Sequence, residues 1–340
     1  MQNLKNEFEQ LRKENIPFIA VANSEWYSLF KDEIRNSIAI EGIFTNRNEL
    51  LDVLEHNKRT DTQKTAAILG YFESASSVYE YANNLLKENE FKLRLADIKQ
   101  IHSLLMRYEK QVGTFQGTLG DFRKGDIEVT ESRFTPIKAS FLEQVMKLFV
   151  KWTNEKLDDA DYDKLQLAAI SHVLFETIHP FRDGNGRVGR ILLSFILIGC
   201  GYVNIAIKGT NKEDRNRYYD ALETADDQCE LLLRAIETGK KISTKDMDRY
   251  LEKSNISFFS KIIEERLRDA YDRLKSKDTL KYNQDALLPL RDVAKFYHYS
   301  QDYLRNLINK GKLAAQRSGK LWYVRVQDIE KYRENVEKNN

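Results

Sequence analysis

Residues 179–190 read His179-Pro180-Phe181-Arg182-Asp183-Gly184-Asn185-Gly186-Arg187-Val188-Gly189-Arg190. Upstream, Leu167, Ile170, Leu174 and Ile178 recur at helical spacing and predict a helix over 162–177. Downstream, residues 188–200 are almost wholly apolar after Arg190, the composition of a helix at the centre of a core. Pro180 cannot continue the first helix and disfavours helical geometry at His179. The glycines let the backbone turn tightly before the second helix begins. The expected local fold is helix, glycine-bearing loop, helix, with unpaired N–H groups pointing into the loop.

That arrangement suits an anion, because helix N-termini and successive backbone amides bring their partial positive charges together. Arg187 and Arg190, three apart, share a helix face and can reach further phosphate oxygens with forked donors. Asp183 is a hard oxygen ligand of the kind that takes a phosphate-bound Mg²⁺. His179 is the side chain best suited to remove a proton near neutral pH. The loop lacks the Lys-Ser/Thr ending of a Walker P-loop, which excludes NTPase chemistry of that type. A plain turn between core helices would need a glycine or an asparagine, but not a base, a carboxylate and arginines together.

The stretch resembles the Fic-family signature, His-x-Phe-x-(Asp/Glu)-Gly-Asn-Gly-(Arg/Lys)-x-x-Arg, at every defined position. The resemblance implies a protein adenylyltransferase, an enzyme that moves AMP from ATP to a Tyr, Ser or Thr hydroxyl of a target protein, or of itself. It makes His179 the general base, Asp183 the Mg²⁺ ligand, and Gly184, Asn185 and Gly186 the anion hole, with Asn185 near the α-phosphate. Arg187 and Arg190 would meet the β- and γ-phosphates, and Phe181 would anchor the loop in the core.

A second motif lies upstream. Residues 24–42 carry an apolar face (Trp26, Leu29, Phe30, Ile34, Ile38), with Ser24 as expected N-cap and Gly42 as stop. Ser37 and Glu41, four apart, share a face. An isolated Ser-x-x-x-Glu-Gly is ordinarily a helix end with an exposed carboxylate. Here it also resembles the Fic inhibitory motif, (Ser/Thr)-x-x-x-Glu-(Gly/Asn), in the class with the inhibitory helix ahead of the catalytic domain. That implies an ion pair between Glu41 and Arg190, supported by Ser37, which denies the arginine to ATP.

Between 113 and 130, Gly113, Gly117, Gly120 and Gly125 punctuate Phe115, Phe122, Ile127 and Val129, which is hairpin composition. The segment resembles the Fic flap, with Gly120, Arg123, Ile127 and Val129 roughly in register. The resemblance implies an edge strand that docks the target segment through main-chain pairing, with Phe122 beside it. The usual Pro-Pro beyond the flap is reduced to Thr135-Pro136-Ile137. Helices are also expected over 96–108 and 139–157, with His102 and His172 as packed core histidines. Arg217-Tyr218-Tyr219 resembles the family's Tyr-Tyr pattern, which offers Tyr218 or Tyr219 to the adenine and leaves the other for the core.

After residue 240 the chain turns strongly charged, with Ile262, Ile263, Leu267, Tyr271 and Leu274 at helical spacing, as in a connector that packs against a domain or builds a homodimer. Residues 285–340 then read as helix, turn, helix, hairpin, helix, with Ser300 as N-cap of a helix over 301–309 and strands over 313–317 and 321–325. They resemble the excisionase-type winged helix-turn-helix. This module has eleven Lys and Arg against seven Asp and Glu. The resemblance implies DNA as a partner, with Gln301, Arg305 and Asn306 facing the major groove and Lys310, Lys312, Arg317 and Lys320 on phosphates. A protein-contact module is the alternative.

The whole chain has a net charge of +2, 31% charged and 11% aromatic residues, so no chain-wide field selects a partner. The longest apolar run is too short to span a bilayer, the N-terminus has no signal-like region, and Cys200 and Cys229 lack metal spacing, so a cytoplasmic protein without a membrane role is expected. The expected fold is mainly α: an N-terminal region (1–93) holding the inhibitory helix, a Fic core with a β-hairpin flap (94–240), a connector (241–284) and the winged helix-turn-helix (285–340). The leading reading is an autoinhibited adenylyltransferase using ATP and Mg²⁺. The rivals keep the loop but use another nucleotide, transfer phosphate or remove AMP, or make the chain a nucleotide-sensing DNA-binding regulator.

Overall fold

The computed structural model describes residues 2–13, 19, 23–56, 58–60, 62–128, 134–275, 287–297, 299–318 and 321–337. The fold is mainly α, with one small sheet near the C-terminus. The N-terminal part contributes α1 (Gln2–Lys13), α2 (Ser24–Ile40), α3 (Arg47–Leu54) and α4 (Gln63–Lys87). Then follow α5 (Leu95–Gln111), α6 (Leu142–Asp158), α7 (Lys164–Ile178), α8 (Asn185–Gly199), α9 (Lys212–Ala225) and α10 (Asp227–Glu237). After these come α11 (Thr244–Leu251) and α12 (Ser257–Lys275).

The central element is α8. Val188, Ile191, Phe195, Ile196, Leu197 and Ile198 are wholly buried, and α2, α4, α5 and α7 pack around it. Each buried aliphatic side chain stabilises by ~1.5–3 kcal/mol relative to exposure, so α8 holds its place by its surroundings rather than by helix propensity. Its polar residues therefore sit in a rigid setting.

Several expectations shift at the edges. Asn23, not Ser24, caps α2: its Oδ1 accepts the N–H groups of Glu25 and Trp26, and Asn caps as well as Ser does. Asp163 caps α7, which starts two residues later than expected and ends one later. The segment after residue 240 packs against the body of the chain. Helix α12 buries Phe259, Ile262, Ile263, Leu267, Ala270 and Leu274 and packs on α1, α2, α7 and α9 of the same chain.

The expected hairpin over 113–130 is not formed by its described residues, where 113–128 follow turns, bends and irregular backbone with no strand pairing. Buried Arg123, at the middle of the segment, instead gives its donors to the carbonyls of His179, Gly125 and Ile137, two of them from outside it. Val129 lies outside the described residues.

The C-terminal module contains β1 (Leu287–Pro289), α13 (Leu290–Phe296), α14 (Gln301–Asn309), β2 (Gln316–Ser318), β3 (Leu321–Arg325) and α15 (Val326–Glu337). Its antiparallel sheet has the order β1-β3-β2, with Leu288 opposite Val324 and Arg317 opposite Trp322. Ser300 caps α14 as expected, its hydroxyl accepting the N–H of Tyr303. The wing is shorter than expected, and β1 was not anticipated because Leu287–Pro289 is too brief to show an alternation.

Candidate functional site

The site is built at the junction of α7 and α8. Helix α7 ends at Ile178, and His179 takes a left-handed backbone with φ 52° and ψ 61°. A non-glycine residue there is uncommon and strained. Arg123 fixes it: its Nε donates to the His179 carbonyl at 2.9 Å, and its backbone N–H donates to the Pro180 carbonyl at 3.0 Å. The same guanidinium donates to the carbonyls of Gly125 and Ile137. Arg123 is thus a buried brace tying both ends of the flap to the His179 turn, so its side chain is not presented to a partner.

The imidazole of His179 lies 3.3 Å, through Nδ1, from the Glu176 carbonyl. A carbonyl can only accept, so Nδ1 carries the proton and Nε2 is left as the basic nitrogen. Burial, with Arg123 nearby, pushes its pKa down to about 4, so the ring is neutral at ordinary pH.

The loop closes on itself. Asn185 Oδ1 accepts the Phe181 N–H at 2.8 Å, and its Nδ2 donates to the Phe181 carbonyl at 2.9 Å. Both polar ends of the Asn185 side chain are therefore committed to loop geometry. Phe181 is wholly buried and stacks on His102 at 4.0 Å with 7° between planes. His102 Nδ1 accepts the Gly120 N–H at 2.9 Å, and burial lowers its pKa to about 4, as befits a core histidine. Gly120 and half-buried Phe122, which lies 5.5 Å from the Phe181 ring, thus seat the flap on the loop; Ile127 is half-buried beyond them.

Gly184 is the N-cap of α8 with φ +79°, a conformation open to glycine. Asp183 is exposed, and its Oδ1 accepts the Gly184 N–H at 2.5 Å. Among the described residues no cluster of three or more His, Cys, Asp or Glu could hold a metal by itself. A single exposed carboxylate beside a helix N-terminus fits Mg²⁺ delivered with a nucleotide, not a resident metal.

The two arginines point to different partners. Arg190 donates from Nε to Ser37 Oγ at 2.8 Å, and from Nη2 to the Ser37 carbonyl at 3.0 Å and Glu41 Oε1 at 2.5 Å. The three residues joined by those contacts are thus brought together across some 150 positions of chain, as the inhibitory resemblance implies. Burial alone would raise the Glu41 pKa, but the charges of Arg190 and Arg187 outweigh it and hold the carboxyl below its ordinary value. Gly186 makes room for this carboxylate, since an added Cβ would stand 2.5 Å from Glu41 Oε1. Gly42, at φ +78°, lets the chain leave α2 directly after Glu41.

Arg187 is held by Glu109, which was not singled out in the sequence. A signal existed: Ile98, Ile101, His102, Leu105, Met106 and Glu109 follow one apolar stripe of α5. Glu33 on α2 is a similar case. Its carboxyl accepts from Tyr71, Tyr79 and Asn204, and burial, opposed by these bonds, raises its pKa to about 7. Tyr218 is buried and donates to His172 Nε2 at 2.9 Å, while His172 Nδ1 donates to the Gly189 carbonyl at 3.0 Å. Tyr219 is 44% exposed, and its hydroxyl donates to the Ile40 carbonyl at 3.1 Å. Tyr218 is therefore the core member of the pair, and Tyr219 touches the end of α2.

In the C-terminal module, Gln301, Arg305, Asn306, Lys310, Lys312 and Arg317 are all exposed, around the buried anchors Leu304 and Leu307. Arg305 is shared with Asp302 at 2.8 Å. Lys320 lies outside the described residues.

Residues 92–197 match the Fic/DOC family and residues 287–336 a helix-turn-helix domain. A probable protein adenylyltransferase of Aquifex aeolicus is 28% identical over 308 residues, covering 89% of this chain and 87% of that protein. The protein adenylyltransferase Fic of Aedes aegypti is 30% identical over 57% of this chain, which spans 36% of the mosquito protein. A Fic-domain-containing signalling protein from Bacteroides thetaiotaomicron shares the fold at TM-score 0.60 and 20% identity, over 81% of this chain and 96% of that one. Fic-1 of Caenorhabditis elegans does so at TM-score 0.55 and 18% identity, over 80% and 71%. Residues 92–197 thus constitute a Fic/DOC-family domain, followed over 287–336 by a helix-turn-helix domain.

Proposed function

We propose that this chain is a protein adenylyltransferase that transfers AMP from ATP to a hydroxyl side chain of a target protein, and that α2 holds it back. Relatives at 28–30% identity bear that activity in their names, which supports the reaction class. The phosphates would settle at the N-terminus of α8, against the first-turn amides and Arg190. Asp183 would hold Mg²⁺, which supplies charge neutralisation on the phosphates. His179 Nε2 would take the proton of the target hydroxyl as its oxygen attacks the α-phosphorus. The bond to the bridging oxygen breaks and pyrophosphate leaves.

The observation that carries the regulatory half is the engagement of Arg190 by Ser37 and Glu41. A carboxylate already on that guanidinium competes with the γ-phosphate for the same donors. ATP labelled with ³²P at the α or the γ position tests the reaction class. Label entering protein from α alone supports the reading, label from γ alone makes it a kinase, and label from neither leaves a nucleotide sensor.

We further propose that the exposed face of α14 binds DNA, with Gln301, Arg305 and Asn306 toward base edges and Lys310, Lys312 and Arg317 on phosphates. Affinity that falls steeply with salt supports it. No binding at low salt leaves a protein-contact module.

A further inference from the structure

Glu109 stands on the apolar face of α5, three residues after Met106, with a side chain 2% exposed. Its Oε1 accepts from Arg187 Nη1 and its Oε2 lies 3.5 Å from Nη2. The Arg187 side chain is itself 4% exposed, with Nη2 also 3.6 Å from Met106 Sδ. The main chain of the same residue faces elsewhere: the Glu109 carbonyl accepts the N–H groups of Thr114 at 3.0 Å and Phe115 at 3.2 Å. The Thr114 hydroxyl donates to it as well, at 3.2 Å. One residue thus grips the first turn of α8 with its side chain and the root of the flap with its carbonyl.

We propose that Glu109 is a positioning residue that fixes the flap root relative to the anion-binding turn, acting through Arg187. Arg187 is then a brace, and Arg190 alone is the arginine that exchanges a carboxylate for phosphate. The burial difference carries this. A desolvated pair is costly to open, because parting it leaves two unpaired buried charges. Glu41 keeps its side chain 31% exposed, so water can solvate it when it leaves. The kinetic consequence rests on the adenylyltransferase reading; the structural consequence does not.

The test has two arms. In a Glu41→Gly background, Glu109→Gln lowers turnover about tenfold while the KM for ATP moves less than about threefold, the signature of lost alignment without lost binding. Arg187→Gln does the same, and the double variant is no worse than either single one. Independently of activity, amide exchange in Glu109→Gln speeds up together at Thr114 and Phe115 and at Val188, while α2 is unchanged. Should the glutamine variant fail to fold, Glu109→Asp keeps the charge at shorter reach and gives a milder form of the same pattern. A faster enzyme with a lower KM for ATP would make Glu109 a second competitor and overturn the proposal. So would unchanged exchange at both segments. A background that transfers no α-label defeats the adenylyltransferase reading, while the exchange arm still decides the role of Glu109.

Discussion

Arg187 and Arg190 are neighbours on one face of α8, and each is held by a carboxylate from another helix. The resemblance ends there. Glu109 reaches Arg187 from α5 with 2% of its side chain exposed, whereas Glu41 reaches Arg190 from the end of α2 with 31% exposed. The Glu41 carboxylate meets water on one side while Arg190 is itself 4% exposed, so this half-buried pair can compete with a phosphate for the guanidinium and still yield. A buried pair contributes little net stability, yet breaking it from one side is expensive, so it acts as a fixture. Identical functional groups on adjacent turns can serve regulation and architecture, and solvent access separates the two uses.

The largest effect that would sharpen this contrast is on stability. Glu109→Ala should lower the free energy of unfolding by ~3–5 kcal/mol in denaturant titration, because Arg187 is left as an unpaired buried charge. A loss under ~1 kcal/mol would make both pairs alike and break the comparison.

Next comes pH. With the His179 pKa pushed down to about 4, an activated variant should keep its rate as pH falls from 8 to 6, losing it only toward pH 4 as Nε2 takes a proton. An acid limb near the ordinary histidine value would mean that the ring is solvated in the working enzyme.

A smaller effect concerns the anchorage of α2. The Glu33 pKa is raised from 4.5 to about 7, chiefly by burial. A raised folded value means that this carboxyl's contribution is complete below its unfolded pKa and declines as pH rises through about 7. The parent should lose stability over that window and Glu33→Gln should flatten the slope, as thermal melts at pH 5 and 8 will show. Smallest of all, Glu41→Ala should change the unfolding free energy by less than ~1 kcal/mol, because buried Arg190 keeps both of its hydrogen bonds to Ser37 and the carboxylate removed was itself 31% exposed.

The contrast between the pairs also explains what the sequence made legible. The loop 179–190 was readable because it concentrates unusual residue types in a short span, whereas the end of α2 has the composition of any helix end and was readable only through its resemblance to the inhibitory motif. Glu41, Ser37 and Arg190 then meet as that reading expects. Glu109 escaped notice because a lone carboxylate in an apolar stripe can be told from a solvated edge only by knowing what packs opposite. Arg123 was read as part of a docking strand because Gly-x-x-Arg and alternating apolar residues suggest a hairpin. Its actual use, bracing the carbonyls of three segments, depends on chain crossings that local pattern does not encode. That the Asn185 side chain closes its own loop on Phe181 is likewise set by a rotamer, which spacing does not show.

The rate of α-labelled AMP incorporation at saturating ATP and Mg²⁺, compared between parent and Glu41→Gly, addresses the central claim most directly. Glu41 withholding Arg190 predicts a gain of about a hundredfold, equivalent to ~2.7 kcal/mol, abolished when His179→Ala is added. Equal rates in parent and variant would contradict it.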